Sequence, residues 1–392
     1  MSHAYGPAGE VPGLLRSIRS GNQSVRQQAY SDLAGLMVDE GSRFEASSAV
    51  TPYLIKIVAD PAAPDRFAAC QVLASIAVGD ESSWLSDGAD PSRMRSEVER
   101  RALMSKEELE ENHQLWIASA PNEEERSERA RGAKWRDLEA ERDEERWAIE
   151  AYDAVRAGVP VYLAALEAPE KAVRLYAAHL LAWFPEDAQS ISPAIGRLVT
   201  EESDPIVAST ACMAGGLAGV RGDEALIDAL SARRASANRG EAWSAVLGLS
   251  RIVTRPDRSL VSDLYSCLFG AVGPVPYWPF LEGDMSAMAA FIIRDLGPDV
   301  AQDRVAVLTE RVTSAGADTD LFMLLAATLD AAFADGPLPE GTRFDDLTPD
   351  QQSALLALVQ SSVLRAGPMV LRLLGRYNLP QNEAGLRAFC GL

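Results

Sequence analysis

Apolar positions along this chain recur at helical spacing. Val173, Tyr176, Ala177, Leu180, Leu181 and Phe184 fall at steps of 3, 1, 3, 1 and 3, which is one face of an α-helix. A second amphipathic segment, 159–168, precedes that stripe. The same pairing recurs with 11–19, 50–59 and 192–200, each followed by another apolar-striped stretch. Breakers and caps sit at the junctions: Gly21-Asn22, Asp60-Pro61, Pro169 and Asp204-Pro205. Strand-type alternation is almost absent. The pattern predicts an all-α chain built from helix pairs.

The second helix of each pair carries a recurring signature. Val25-Arg26, Ala29 and Leu33-Ala34 match Val173-Arg174, Ala177 and Leu181-Ala182. Arg66, Ala69, Leu73 and Ala74 repeat it without the Val, and Arg239, Ala242, Val246 and Leu247 repeat it loosely. A weaker copy begins at Val207. Neighbouring anchors lie 32 to 40 residues apart, the period of a helix-pair repeat. Small Ala residues at fixed positions let paired helices approach closely and bury a continuous core.

These residues resemble the HEAT and HEAT-like (PBS-lyase type) repeat superfamily, in a style common in actinobacteria. The resemblance covers residues 11–79 and 151–250, and the signature fades beyond about 255. It implies an α-solenoid, a superhelix of about seven or eight HEAT-like helix pairs. In such repeats the recurrent arginine usually pairs with turn acids between layers. For Arg26, Arg66 and Arg174 the resemblance therefore implies carboxylate or carbonyl partners, with Asp60 and Asp65 suitably placed.

Between Arg66 and Arg174 the chain is far longer than one repeat. The excess, 80–150, holds 21 acidic and 12 basic residues. Mixed charge through 122–147 fits exposed helix with i,i+4 pairing. Trp116, Trp135 and Trp147 interrupt it, serving either to dock the insertion on the array or to anchor a partner. The expected organisation is N-terminal repeats at 1–79, a charged helical insertion at 80–150, and a HEAT-like repeat array with divergent C-terminal helix pairs at 151–392. Trp135 or Trp147 would hold the insertion.

Charge narrows the function. Acidic residues outnumber basic ones 57 to 37, a net of −20. That excess opposes nucleic acid, which needs a cationic surface, and anionic lipid. The longest uncharged stretch, 264–281, contains Pro274, Pro276 and Pro279 and cannot be one spanning helix. The start carries no cationic and apolar leader pattern. Cys70, Cys212, Cys267 and Cys390 form no CxxC pair and read as buried, reduced thiols of a cytoplasmic bacterial protein.

Candidate chemistry is sparse. His3, His113 and His179 share no metal-ligand spacing, so no metal and no cofactor is expected. GxSxG, Walker A and GxGxxG motifs are missing, and Gly215-Gly216 reads as helix close packing. The leading expectation is a non-enzymatic scaffold or adaptor that binds a basic protein or peptide, in an immunity-like version a basic toxin. Its candidate binding residues are Trp135, Trp147, His179, Trp183, Trp243, Tyr277 and Trp278. The alternative is an enzyme or small-molecule binder in the concave groove, in the manner of lyase-like or DNA-glycosylase-like HEAT proteins. It would need His179, Trp183, Trp243, Tyr277 and Trp278 to converge, with Asp187 and Glu241 as acids. Val275 to Leu281 packs three aromatics among prolines and reads either as a recognition loop or as a cover on the core.

Overall fold

The computed structural model describes residues 1–87, 90–120, 123–133, 138–271, 273–315, 321–361 and 368–392. It is an all-α, solenoid-like structure in which neighbouring helices pack in succession. Among the described residues, β-structure is limited to two two-residue ladders. β1 (Ser2–His3) pairs with β2 (Gly6–Pro7), and β3 (Val38–Asp39) with β4 (Ser42–Arg43). The second hairpin turns through Glu40 and Gly41, both at positive φ, the geometry that matches strand twist in a tight hairpin.

The chain divides into two compact units, Met1–Trp183 and Phe184–Leu392. The boundaries expected at 79 and 150 do not coincide with this division. The first unit contains α1 (Val11–Ser17), α2 (Gln23–Met37), α3 (Glu45–Ala59), α4 (Arg66–Val78), α5 (Glu81–Asp87), α6 (Pro91–Leu103), α7 (Lys106–Ala118), α8 (Glu123–Ala133), α9 (Leu138–Arg156), α10 (Val159–Ala165) and α11 (Lys171–Leu181). Helix α1 packs on α2, α3 on α4, and α10 on α11, while α4 links forward to α11. The second unit contains α12 (Ala188–Glu201), α13 (Pro205–Ala218), α14 (Glu224–Arg234), α15 (Arg239–Ile252), α16 (Arg258–Gly270), α17 (Met285–Asp295), α18 (Arg304–Ser314), α19 (Leu321–Ala332), α20 (Pro349–Gln360), α21 (Pro368–Gly375) and α22 (Glu383–Phe389). Here α13 packs on α15, α17 on α19, and α18 on α20.

Residue 150, the expected end of the insertion, lies inside α9. That helix packs against both α3 and α4, burying Ile149, Ala151, Tyr152 and Val155. Its second half is core, because apolar residues at 149, 152 and 155 share one face. The part of the insertion with least core is the α7–α8 hairpin, whose described residues are mostly exposed.

Closest approach occurs between α13 and α15. A Cβ on Gly216 would stand 2.5 Å from Gly248 Cα, and one on Gly248 would stand 2.3 Å from the Cys212 carbonyl oxygen. Gly216 therefore serves helix packing, as its sequence context indicated. All four cysteines are free and buried. Burial pushes the thiols of Cys70 and Cys212 up to about 12.

Arginines close the ends of helices throughout. Arg66 donates from Nε and Nη2 to the Val58 carbonyl near the end of α3, at 3.0 and 2.8 Å. Arg174 donates to the carbonyls of Ala168 and Pro169 beyond α10, and Arg26 to that of Ser20 beyond α1. Arg43 reaches the Val78 carbonyl at the end of α4, and Arg142 those of Arg101 and Met104 at the end of α6. In the second unit Arg233 serves α12, Arg311 serves α16 and Arg387 serves α20. The last carbonyls of a helix have no intrahelical donor, and a guanidinium supplies several donors plus a charge that suits the negative helix end. Asp65 joins in by pairing with Arg26 at 2.7 Å. Asp60 instead accepts from the Ala62 N–H in its own turn.

Candidate interaction surface

The expected site residues separate into buried packing groups and a few displayed side chains. His179 and Trp183 are both buried and stand edge to face, ring centres 5.7 Å apart. Trp84 of α5 joins them, stacked on Tyr152 at 5.5 Å and edge-on to Trp183 at 6.4 Å. The Tyr152 hydroxyl donates to the Trp183 carbonyl at 3.1 Å. Glu81 lies 3.8 Å from His179 Nε2, and Arg95 of α6 pairs with Asp153 while its guanidinium stands 5.7 Å from the Tyr152 ring centre. This cluster holds the start of the insertion against α9 and α11. The tryptophan that does so is Trp84, which sequence reasoning passed over. Trp147 is only half-buried on α9, and Trp135 lies outside the described residues.

In the second unit, Trp243 lies half-buried across Gly270, whose absent side chain makes room for the ring. Arg239 covers it at 5.4 Å. Trp278 is 2% exposed and packs on Phe280 at 5.2 Å, so that half of the aromatic loop is core. Tyr277 next to it is 82% exposed, at a φ of +65°. The Val275 N–H donates to the Gly283 carbonyl at 2.9 Å and closes the loop base. Glu241 is buried, accepting from Arg233 at 3.1 Å and from the Ser236 hydroxyl at 2.9 Å. It is committed to structure.

Two cavities in the first unit, of about 610 and 310 Å³, are lined by none of the expected site residues. Of the residues named for a groove site, His179 and Trp183 lie in the first unit and Trp243, Tyr277 and Trp278 in the second. Among the described residues, no group of three or more His, Cys, Asp or Glu side chains is placed to hold a metal ion.

The displayed surface is the α7–α8 hairpin. Ser105 caps α7 by accepting from the Glu108 N–H at 3.1 Å, and Glu108 accepts in return from the Ser105 N–H at 2.7 Å. Acids at Glu107 and Glu108 suit the positive helix start. At the other end Trp116 is 41% exposed and Leu115 61% exposed. His113 stacks on the Trp116 ring at 5.6 Å. Arg129 of α8 lies 4.8 Å from the ring centre and donates to the Trp116 carbonyl at 2.7 Å. The tryptophan is thus braced by His113 and Arg129 and still partly exposed. Glu107, Glu110 and Glu111 are exposed and form no ion pair among the described residues. An acidic helix carrying a braced aromatic is equipped to meet a cationic, partly apolar surface. Trp116 was visible in the sequence as an interruption of a charge run, but nothing there separated it from Trp135 or Trp147.

No family model matches the chain, and no curated relative matches it. Among solved structures it is similar to an engineered protein at 19% identity, covering 98% of this chain and 97% of that one, with a TM-score of 0.29. A likeness that slight supports no statement about fold or function. Among the described residues, no helix is long and apolar enough to cross a membrane.

Proposed function

We propose that this chain is a non-enzymatic interaction scaffold, built of HEAT-like helix pairs, that captures a basic protein or peptide in the cytoplasm. The observation that carries this reading is the α7–α8 hairpin. Its acids Glu107, Glu110 and Glu111 point into solvent beside a braced Trp116 and an exposed Leu115. The hairpin adds almost nothing to the core, so its composition answers to something outside the folded chain. The net charge of −20 extends the same attraction over longer range and steers a cationic partner toward it. Neutralising a basic toxin is the immunity-like form of the same chemistry.

Crosslinked capture from the native host, with wild type and a Leu115→Ser/Trp116→Ala variant side by side, tests the reading. Both substitutions fall on exposed positions, so the variant should melt like wild type. The expected result is a basic partner that is retained by wild type at low salt, released as salt rises, and lost from the variant. Partners that are all acidic, or a basic partner held equally by the variant, would refute it.

A further inference from the structure

The larger cavity is an apolar groove of about 610 Å³ between α1 and α3. Helix α1 packs on α2 and α3 on α4, and the groove opens where the two first helices stand apart. Val11 and Leu15 form one wall, and Ala49, Val50 and Ile57 the other, with Tyr53 half over the opening. The only charged side chains that line it are Arg16, Arg19 and Lys56. All three are exposed, and none forms an ion pair among the described residues. Lys56 stands over the Tyr53 ring, 5.8 Å from its centre. In a chain with 57 acids, three cations without an ion pair around one apolar floor is a local reversal of charge.

The cations also share one end. Ser2 N–H donates to Glu45 at the start of α3, and His3 pairs with Glu10 at the start of α1, so both helices begin at the same end of the groove. Arg16 lies in the last turn of α1, Arg19 just beyond it, and Lys56 in the last turn of α3. The far end is lined by Ala8, Ala46 and Met1, whose ammonium is already matched by Glu45 at 3.3 Å.

We infer that this groove binds a long-chain fatty acid, with its carboxylate among Arg16, Arg19 and Lys56 and its acyl chain along the floor toward Ala46. The volume lies within the range of ligand sites, roughly 300–1,000 Å³, and so does the balance of apolar lining with a few convergent polar groups. An acidic helix would call for cations along both walls. The observed arrangement places cations without an ion pair at one end, and at the other apolar lining beside an ammonium that Glu45 already matches, which suits a ligand with a single anionic head.

The test uses the whole chain and 1-anilinonaphthalene-8-sulfonate as an anionic apolar reporter, displaced by dodecanoate below its micellar range. Dodecanoate should displace the reporter saturably, and dodecyltrimethylammonium should do so at least about tenfold more weakly. Arg16→Glu/Lys56→Glu should weaken dodecanoate by about tenfold or more, while Arg258→Glu, an exposed cation of the other unit, should not change it. Ala49→Phe, which fills the floor, should abolish displacement. If Ala49→Phe fails to fold, Tyr53→Glu keeps the test open: it sets a carboxylate beside Lys56 at the exposed rim and should weaken dodecanoate by repulsion. Equal binding of the two amphiphiles, or indifference to the Arg16 and Lys56 reversal, would overturn the inference. So would saturable binding of an acidic amphipathic peptide that dodecanoate cannot displace.

Discussion

Replacing Gly248 with Ala isolates the close approach of α13 and α15. On an isolated helix this change helps, by roughly 1 kcal/mol, because glycine sacrifices more backbone entropy than alanine. Here the new Cβ would lie 2.3 Å from the Cys212 carbonyl oxygen, whereas ordinary contact begins near 3.4 Å. The helices must part by about an ångström, or the carbonyl must tilt away from its own ladder. Both helices are buried along most of their length, so parting them loosens contacts well beyond Gly248. Overpacking of this kind costs about 1–3 kcal/mol. Net of the propensity gain, Gly248→Ala should destabilise by up to about 2 kcal/mol. Gly196 of α12 supplies the control within the same unit. A Cβ there would meet only Leu226 Cδ1, at 3.8 Å, so Gly196→Ala should stabilise by up to about 1 kcal/mol. Urea unfolding followed by far-UV circular dichroism gives both numbers, with m-values checked for constancy. Gly216→Ala faces the same helix contact, and the Gly216→Ala/Gly248→Ala pair should cost less than the sum of the singles, because one separation relieves both. If Gly248→Ala raises the midpoint as Gly196→Ala does, the helices are not in the contact described and the reasoning fails.

Arg66→Lys should destabilise nearly as much as Arg66→Met, by about 1.5–3 kcal/mol, because one ammonium cannot reproduce the two-pronged bond to the Val58 carbonyl; urea midpoints decide. Because burial raises the Cys70 and Cys212 thiols from 9.0 to about 12, the folded chain keeps protons that the unfolded chain releases. Stability should therefore be insensitive to these thiols below pH 9 and fall between pH 9 and 12, by at most about 1.4 kcal/mol per thiol per pH unit. Cys70→Ala/Cys212→Ala should flatten the decline in midpoint from pH 8.5 to 10.5, and an unchanged slope would contradict the assignment. Excising 106–132 with a short linker should leave cooperative melting intact, since Arg142 already holds the end of α6 near the start of α9. Excising 80–150 removes Trp84, Leu85 and most of α9 and should abolish cooperative melting.

Helices were legible because their periodicity is a local property of the chain. The stripe from Val173 to Phe184 needs no partner to be recognised. The arginine signature was legible in kind: Arg26, Arg66 and Arg174 do satisfy carbonyls and a carboxylate. Which acid takes part was not, because Asp60 and Asp65 differ only in how the turn folds, and Asp65 sits at a positive φ that composition does not announce. The boundary expected at 150 falls inside α9, which changes character within one helix, charged before Trp147 and apolar-faced after it. Trp84 was missed for the opposite reason. It stands alone in a short polar stretch, and its value comes from Tyr152 and Trp183, distant in sequence. Tyr277 and Trp278 are neighbours with opposite fates, decided by a backbone twist at Tyr277 rather than by residue type.

The arginines at helix ends also partition charge by depth. Arg43, Arg66 and Arg311 are all buried on backbone carbonyls. A formal balance of 57 against 37 counts each of them as if it neutralised a carboxylate in water. Each instead directs its donors to helix-end carbonyls, with Arg66 also 3.7 Å from Glu170. At long range an approaching molecule still meets the total charge. At contact it meets a surface from which these guanidinium groups have been withdrawn, so its nearest cationic neighbours are fewer than the composition suggests.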